Sequence, residues 1–157
     1  MTDFPPEITD SEELPVAVLE DFALKIHDRL AEAYGLPTWD PNRDADPVGA
    51  LVNTILSQNT NDHNRDIAYR QLRDEFPTWE SVRDASEEAI IEAIRPAGLA
   101  PTKGPRIKEA LETIAERQGE ISLEFLRDWP LEKARAWLLD LNGVGPKTAA
   151  IVLLFSM

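Results

Sequence analysis

Residues that begin α-helices recur along this sequence at short intervals. Asp46 stands before Pro47, and Thr78 and Ser86 each precede a stretch in which apolar residues return every three or four positions. No segment shows the strict alternation of polar and apolar residues that is typical of a strand. The pattern therefore predicts an all-α protein, a multi-helix bundle built from many short helices.

The same signals give the bounds of the predicted helices. We expect helices over residues 15–34, 46–57, 61–76, 78–84, 86–95, 102–118, 130–140 and 146–157, with a short one after Ser122. Gly35, Gly98 and Gly119 are expected to end three of them. The apolar stripe of the first helix is formed by Val16, Leu19, Phe22, Ile26 and Leu30.

The chain divides in composition near residue 45. Residues 1–45 form an acidic N-terminal segment with the leading helix, and residues 46–157 form the predicted helical core, whose second helix, over 46–57, is apolar enough to be central. Residues 1–46 hold 12 acidic and 3 basic side chains, whereas residues 47–157 hold 17 and 13. A net charge of −13 is unusual for a protein that binds nucleic acid, but most of the excess of acidic side chains lies in residues 1–46.

The absence of cysteine excludes several kinds of site within these 157 residues. Disulfides, a thiolate nucleophile, zinc held by cysteines and a cysteine-held iron–sulfur cluster are ruled out, and two histidines are too few for a His-rich metal site. No apolar run approaches the roughly 20 residues that cross a bilayer, and no secretory signal opens the chain. We expect a soluble, cytoplasmic protein that does not bind membranes.

The segment Leu141–Ala150, with the sequence LNGVGPKTAA, carries the most chemistry. Two glycines two positions apart allow a sharp turn with exposed backbone amides, because neither has a Cβ that would block an approaching group. Pro146 suits the first turn of the next helix, whose unpaired N–H groups and positive dipole end face the turn. A phosphate can bind there without a basic side chain, which is how an acidic protein can still hold DNA.

Lys147 stands at the start of that helix and is the only charged residue in Leu141–Met157. The positive end of a helix disfavours a cation, and the neutral amine is the nucleophilic form of lysine. Small residues follow it, so a substrate can approach closely. From the turn alone, two roles remain open for Lys147: a nucleophile or a simple phosphate contact.

Three segments together resemble one protein family. LNGVGPKTA is similar to the helix-hairpin-helix of the endonuclease III superfamily of DNA glycosylases (HhH-GPD), which reads roughly L-P-G-V-G-x-K-T-A, with Asn142 here in place of proline. Residues 55–62, ILSQNTND, resemble the family's L-S-x-Q-x-T-D segment, and residues 98–104, GLAPTKG, resemble its G-L-x-x-x-K-A loop. The likeness covers about residues 46–157 and implies a bundle of the six-helix barrel type with its hairpin at 130–157.

The resemblance implies base-excision repair of double-stranded DNA that carries damaged or abasic sites. Such enzymes take the target base out of the stack. Lys147 would attack C1′, displace a damaged base, by resemblance a pyrimidine, and form a Schiff base that undergoes β-elimination of the strand, as a glycosylase with AP lyase activity does. A monofunctional enzyme would use water instead, and the presence of the lysine argues against it.

The resemblance also assigns the DNA contacts. Asn59, together with Gln58, and Leu99 would wedge into the duplex; the alternatives are a helix cap for Asn59 and a core contact for Leu99. The hairpin residues expected to hold the DNA backbone are Asn142, Gly143, Val144, Gly145 and Thr148. Lys103, Arg106 and Lys108 would add phosphate contacts, or form solvated helix surface. A monovalent cation would be held by the backbone carbonyls of Leu139, Leu141 and Val144.

The family has two features that these 157 residues lack. Its catalytic Asp and its four-cysteine loop lie further along than the lysine and would fall past Met157, so a 4Fe–4S cluster is expected only in a C-terminal extension and no cofactor within this chain. Because a positioned general acid or base is worth about 10²- to 10⁴-fold in rate, we expect a truncated form or partial gene product, weakly active or inactive. We expect a monomer, associated with the nucleoid.

A non-enzymatic helix-hairpin-helix module that grips the DNA backbone is the alternative reading. Several other candidates have plainer roles. Trp79, Trp129 and Trp137 are expected to pack in the core rather than stack on bases, and His63 to lie at the surface. Asp140 is expected to be a surface or helix-end residue rather than the catalytic acid, because it precedes the hairpin.

Overall fold

The computed structural model describes residues 15–36 and 46–156. The chain divides into two compact units, Met1–Asp40 and Pro41–Met157. In the first unit, helix α1 spans Val16–Tyr34 and ends where the N–H of Gly35, at φ 77°, donates to the carbonyl of Ala31. The predicted helix and its stop are confirmed. Its apolar stripe is largely exposed, since Val16, Leu19, Ile26 and Leu30 all reach solvent.

The second unit is helical throughout its described part, residues 46–156, and no strand occurs in either described range. Its helices are α2 (Pro47–Ser57), α3 (Asp62–Glu75), α4 (Trp79–Asp84), α5 (Glu87–Ala93), α6 (Ala100–Gln118), α7 (Leu131–Leu139) and α8 (Pro146–Ser156), with 3-10 turns at Arg95–Ala97 and Glu124–Asp128. The all-α prediction is confirmed. None of the described helices is long and apolar enough to span a membrane.

Capping side chains fix most of these helix starts. Asp46 accepts the N–H of Val48 at 3.0 Å, and its second carboxylate oxygen accepts the indole N–H of Trp79 at 2.7 Å, so one residue begins α2 and ties it to α4. Thr78 and Ser81 form a reciprocal capping box on α4. The predicted caps are therefore the ones the fold uses.

Helix α2 lies at the centre of the core, as its sequence predicts. It packs against α3, α6 and α8. Val48, Leu51, Val52, Ile55 and Leu56 are all at most 1% exposed. The core reading of the tryptophans is confirmed, because Trp79 is buried and Trp129 and Trp137 pack against the core cluster.

Helix α6 begins earlier than its sequence predicts. The sequence predicts a start at Thr102, whereas the helix starts at Ala100 after Leu99, which adopts the left-handed conformation at φ 51°. The carbonyl of Leu99 accepts the N–H groups of Thr102 and Lys103 at 2.9 and 3.0 Å. The helix before it also ends early, at Ala93, and the 3-10 turn fills the interval to Gly98.

Candidate nucleic-acid interface

Helices α7 and α8 are joined by a tight turn over residues 140–145. The N–H of Leu141 donates to the carbonyl of Leu138 at 3.2 Å, and that of Val144 donates to the carbonyl of Leu141 at 3.1 Å. Gly143 has φ 79°, a conformation that L side chains rarely adopt. Because Leu141 and Val144 are buried, the turn is anchored in the core while Gly143 and Gly145 form its outer corner.

The start of α8 presents free backbone donors at that corner. Its first bond is from the N–H of Ala149 to the carbonyl of Gly145 at 3.0 Å, and within the described residues the N–H groups of Gly145, Lys147 and Thr148 have no backbone acceptor. Apart from Gly145 itself and its two chain neighbours, no heavy atom lies within 4 Å of the position that a Cβ on Gly145 would take. The corner is thus open to an anion.

Lys147 is the second residue of α8 and its side chain is exposed. Within residues 15–36 and 46–156 it forms no hydrogen bond or ion pair. The next residue differs, because the side chain of Thr148 is buried, so that a contact from Thr148 to DNA would come from its backbone. The turn therefore leaves one amine free to meet a substrate.

Helix α6 brings two opposite charges to the turn. The position of a Cβ on Gly143 would lie 2.9 Å from Cδ of Arg106, so the arginine stem packs directly on the glycine. One turn later on α6, Glu109 accepts a hydrogen bond from the side-chain amide of Asn142 at 2.7 Å. The contact of Glu109 with the turn was not predicted, and no local pattern in the sequence marks it.

The prediction that Lys103 contacts a phosphate is wrong. Its side chain is 1% exposed, and its ammonium donates to the backbone carbonyls of Leu56 at 2.7 Å and Ala97 at 2.8 Å. Burial lowers the pKa of this ammonium from its ordinary value of 10.5. Lys103 lies on the same face of α6 as Ile107, Leu111 and Ile114, which are all buried, and that spacing is the signal that could have placed it inside.

The two loops expected to wedge into the duplex share a backbone feature. Asn59 and Leu99 are the non-glycine residues with positive φ in the described ranges, at 52° and 51°. Both side chains are exposed, Leu99 by 54%, so the alternative of a core contact for Leu99 is wrong. Asn59 caps no helix, since Asn61 caps α3. Gln58 is partly buried at the end of α2.

The remaining candidates have structural partners. The ammonium of Lys108 donates to the carbonyls of Arg83 and Ala85, the latter at 2.8 Å, which ties α6 to the end of α4. Asp140 ends α7 and pairs with Arg117 at 2.8 Å, in agreement with a helix-end role. His63 is exposed, as predicted.

The carbonyls assigned to a monovalent cation lie at the end of α7 and in the turn. Leu139 is the last residue of α7, and the carbonyl of Leu141 accepts the N–H of Val144, which leaves one lone pair free. Backbone carbonyls of this kind are the hard donors that such a cation takes. Within the described part of the chain, no group of three or more His, Cys, Asp or Glu side chains could hold a metal ion.

Comparison with known proteins identifies the family of this chain. A family model described as HhH-GPD superfamily base excision DNA repair protein matches residues 52–152. Endonuclease III of Thermotoga maritima is 32% identical over 112 residues, 71% of this chain and 48% of its own. A protein of Arabidopsis thaliana that carries the provisional name of a DNA glycosylase is 37% identical over 120 residues, 76% of this chain and 41% of its own. The chain spans about half the length of these relatives.

Solved structures share the fold. The crystal structure of Helicobacter pylori 3-methyladenine DNA glycosylase with 1,N6-ethenoadenine superposes with a TM-score of 0.67 at 24% identity, over 89% of this chain and 63% of the other. A trapped covalent intermediate of endonuclease III with DNA gives a TM-score of 0.65 at 19% identity, over 92% and 61%. At these identities the likeness establishes the helical fold alone.

Proposed function

Because the chain belongs to the HhH-GPD superfamily of base excision DNA repair proteins, we propose that it grips damaged DNA and excises a base through Lys147. The exposed, unpartnered amine of Lys147 beside the open corner at Gly145 carries this proposal. The free amides of the corner would hold a backbone phosphate, and the amine would face the sugar next to it.

In the proposed reaction the neutral amine of Lys147 attacks C1′ of an extruded nucleotide. The N–C1′ bond forms as the glycosidic bond breaks, and the base leaves with that electron pair and gains a proton. The nitrogen lone pair then breaks the C1′–O4′ bond, O4′ takes a proton from solvent as the ring opens, and an iminium ion remains at C1′. Loss of a C2′ proton then expels the 3′ phosphate by β-elimination. By its likeness to endonuclease III, the damaged base would be a pyrimidine.

General acid–base help at this site would be weak. Asp140, the carboxylate nearest to Lys147 in sequence, forms an ion pair with Arg117, and Glu109 accepts a hydrogen bond from Asn142. A well-placed acid or base contributes about 10²- to 10⁴-fold in rate. We therefore expect this chain to react with a preformed abasic site, where no base has to leave, far faster than it excises a base.

The lyase proposal is tested by trapping the Schiff base with borohydride on a duplex that contains one abasic site. The wild-type chain should form a covalent adduct that migrates with both protein and labelled strand, and Lys147→Ala should form none. Lys133→Ala is the matched control, because Lys133 is also exposed and stands on α7 over Trp129. An adduct that persists in Lys147→Ala, or its absence from the wild type, would contradict the proposal.

The second candidate is a module that only binds the DNA backbone. The open corner at Gly145 and the partly buried cation Arg106 beside Gly143 would suit it equally. In that case Lys147→Ala should weaken binding to all duplexes alike and reduce the salt slope by about 0.9, the value for one phosphate contact on B-DNA. A normal salt slope combined with loss of the covalent adduct would favour the enzyme.

A further inference from the structure

We propose that Lys103 is a positioning residue: its buried ammonium joins the loops of Asn59 and Leu99 so that both tips meet the duplex together. The proposal rests on the wedge role of these two residues within the proposed function. It assigns to Lys103 a task other than direct contact with DNA.

The contacts of Lys103 reach both loops from inside the protein. Its Nζ lies 2.7 Å from the carbonyl oxygen of Leu56, three residues before Asn59, and 2.8 Å from that of Ala97, two residues before Leu99. The N–H of Lys103 also donates to the carbonyl of Leu99 at 3.0 Å. Lys103 therefore holds the backbone that leads into each loop, and it also holds the backbone of Leu99 itself.

A side chain with several N–H donors suits this place, because two buried carbonyl oxygens converge on it. Leu56 lies in the last turn of α2, where carbonyls lack helical partners and the helix dipole is negative. Ala97 ends the 3-10 turn, and its carbonyl faces the same ammonium. An apolar side chain of equal length would leave both buried carbonyls without their donor.

The backbone of the two tips needs such support. A left-handed conformation is costly for a bulky residue such as Leu99, and such conformations persist only where the surroundings enforce them. Both side chains are exposed, Leu99 by 54%, so packing of these side chains in the core does not supply the constraint. The bonds that Lys103 forms on the inner side of both loops supply the constraint.

Helix α6 gives the anchor a fixed relation to the hairpin. Lys103 and Arg106 are three residues apart, about 4.5 Å along a helix axis, and Arg106 packs on Gly143 of the turn. The wedge loops and the phosphate-binding corner are thus attached to neighbouring turns of one rigid element. A shift of the loops would change the distance between the side chains of Asn59 and Leu99 and the corner at Gly145.

The test compares Lys103→Met with Lys108→Met. Lys108 lies on the same helix and also donates to two backbone carbonyls, but those of Arg83 and Ala85, which belong to neither loop. Affinity is measured for an intact duplex and for the same duplex with one tetrahydrofuran abasic analogue, and 2-aminopurine opposite the analogue reports local unstacking. Circular dichroism verifies the fold of each variant.

We expect Lys103→Met to reduce the preference for the abasic duplex roughly tenfold, which corresponds to about 1.4 kcal/mol, and to lose the 2-aminopurine signal. Its affinity for the intact duplex should stay the same, since the corner at Gly145 is untouched. Lys108→Met should keep both the preference and the signal, and Lys103→Arg, which retains a cation with several donors, should recover part of them.

The outcomes separate this proposal from the one on which it rests. If the wild type does not prefer the abasic duplex, the wedge function itself fails. If Leu99→Ala loses the preference while Lys103→Met keeps it, or if Lys108→Met loses as much as Lys103→Met, the positioning role is overturned. If Lys103→Met does not fold, the test is the double variant of Asn59→Ala and Leu99→Ala. Because Lys103 couples the two loops, the double variant should lose less of the preference for the abasic duplex than the product of the two single-variant losses. A loss equal to that product would overturn the proposal.

Discussion

The side-chain amide of Asn142 donates a hydrogen bond of 2.7 Å to Oε2 of Glu109, and so links the tight turn to α6. Both side chains are exposed. The carboxylate of Glu109 therefore lies beside the turn that precedes α8, where it would repel a phosphate bound as proposed. Arg106, one turn earlier on α6 and packed on Gly143, has the opposite effect. The turn thus has one side chain beside it that would weaken the binding of a phosphate and one that would strengthen it.

Glu109→Gln should strengthen DNA binding. The amide oxygen of glutamine can still accept from Asn142, so the change removes charge and keeps the contact. We expect the dissociation constant to fall about two- to fivefold at low salt, the range of a surface charge interaction, for damaged and undamaged duplexes alike. Fluorescence anisotropy against salt concentration measures it, and the gain should vanish as salt rises.

Glu116→Gln is the matched control for that prediction. Glu116 is exposed on α6 about 10 Å further along the axis, and its replacement changes the net charge equally. If both variants bind DNA more tightly to the same degree, net charge and not the position of Glu109 governs affinity.

Substitution of the two glycines of the turn should have different effects: Gly143→Ala should lower stability, and Gly145→Ala should weaken the binding of DNA. Gly143→Ala places a Cβ at φ 79° and 2.9 Å from Cδ of Arg106, so it should lower the free energy of unfolding by about 1–2 kcal/mol. The methyl group of Gly145→Ala meets no atom within 4 Å beyond its chain neighbours, so the change in stability should be less than about 0.5 kcal/mol. The same methyl group would instead block a phosphate. Urea unfolding and duplex binding measure both, and tight binding by Gly145→Ala would argue against the corner.

Leu99→Gly should make the protein more stable and a poorer discriminator of damage. Glycine relieves the left-handed strain, worth about 1–2 kcal/mol, but costs roughly 0.5–1 kcal/mol of chain entropy, which leaves a small net gain. Leu99→Ala keeps the strained backbone and is the control, since it should lose the preference for abasic DNA with no gain in stability. A loss of stability in Leu99→Gly would show that this side chain packs more than its exposure suggests.

Local chemistry was enough to predict most helix starts and the hairpin. Asp46, Thr78 and Ser86 cap as expected because an N-cap bond closes within three residues and needs no tertiary partner. The corner at Gly143 follows from residue type in the same way. Helix starts and the turn at Gly143 could therefore be predicted, because in each a short stretch of chain decides the conformation.

Lys103 and Leu99 show where such reading fails. Residue type places a lysine at the surface, yet the periodicity of α6 places Lys103 among buried aliphatic residues, and the carbonyl of Leu56 that binds it lies 47 residues away in the chain. The left-handed backbone of Leu99 has no signal in its side chain, because leucine rarely adopts it. The periodicity of α6 indicates that Lys103 is buried, but it does not indicate which carbonyls its ammonium meets, because that depends on how α2 and α6 pack.

The buried ammonium of Lys103 also predicts a pH dependence of stability. Its pKa is lowered by burial from 10.5, so the unfolded chain binds this proton more tightly than the folded one. Below the lowered pKa the full cost of burying the charge is present. As the pH rises from that lowered pKa towards 10.5, the folded amine loses its proton first, and the free energy of unfolding increases. The neutral amine keeps two N–H donors, enough for the carbonyls of Leu56 and Ala97. The measurement is urea unfolding of wild type and Lys103→Met across this range, in which the other titrating groups cancel. The difference should widen in favour of the wild type as the pH rises. A constant difference would mean that Lys103 titrates as a solvated lysine does, and a shrinking difference would mean that the folded chain binds this proton more tightly than the unfolded one; either result contradicts the lowered pKa.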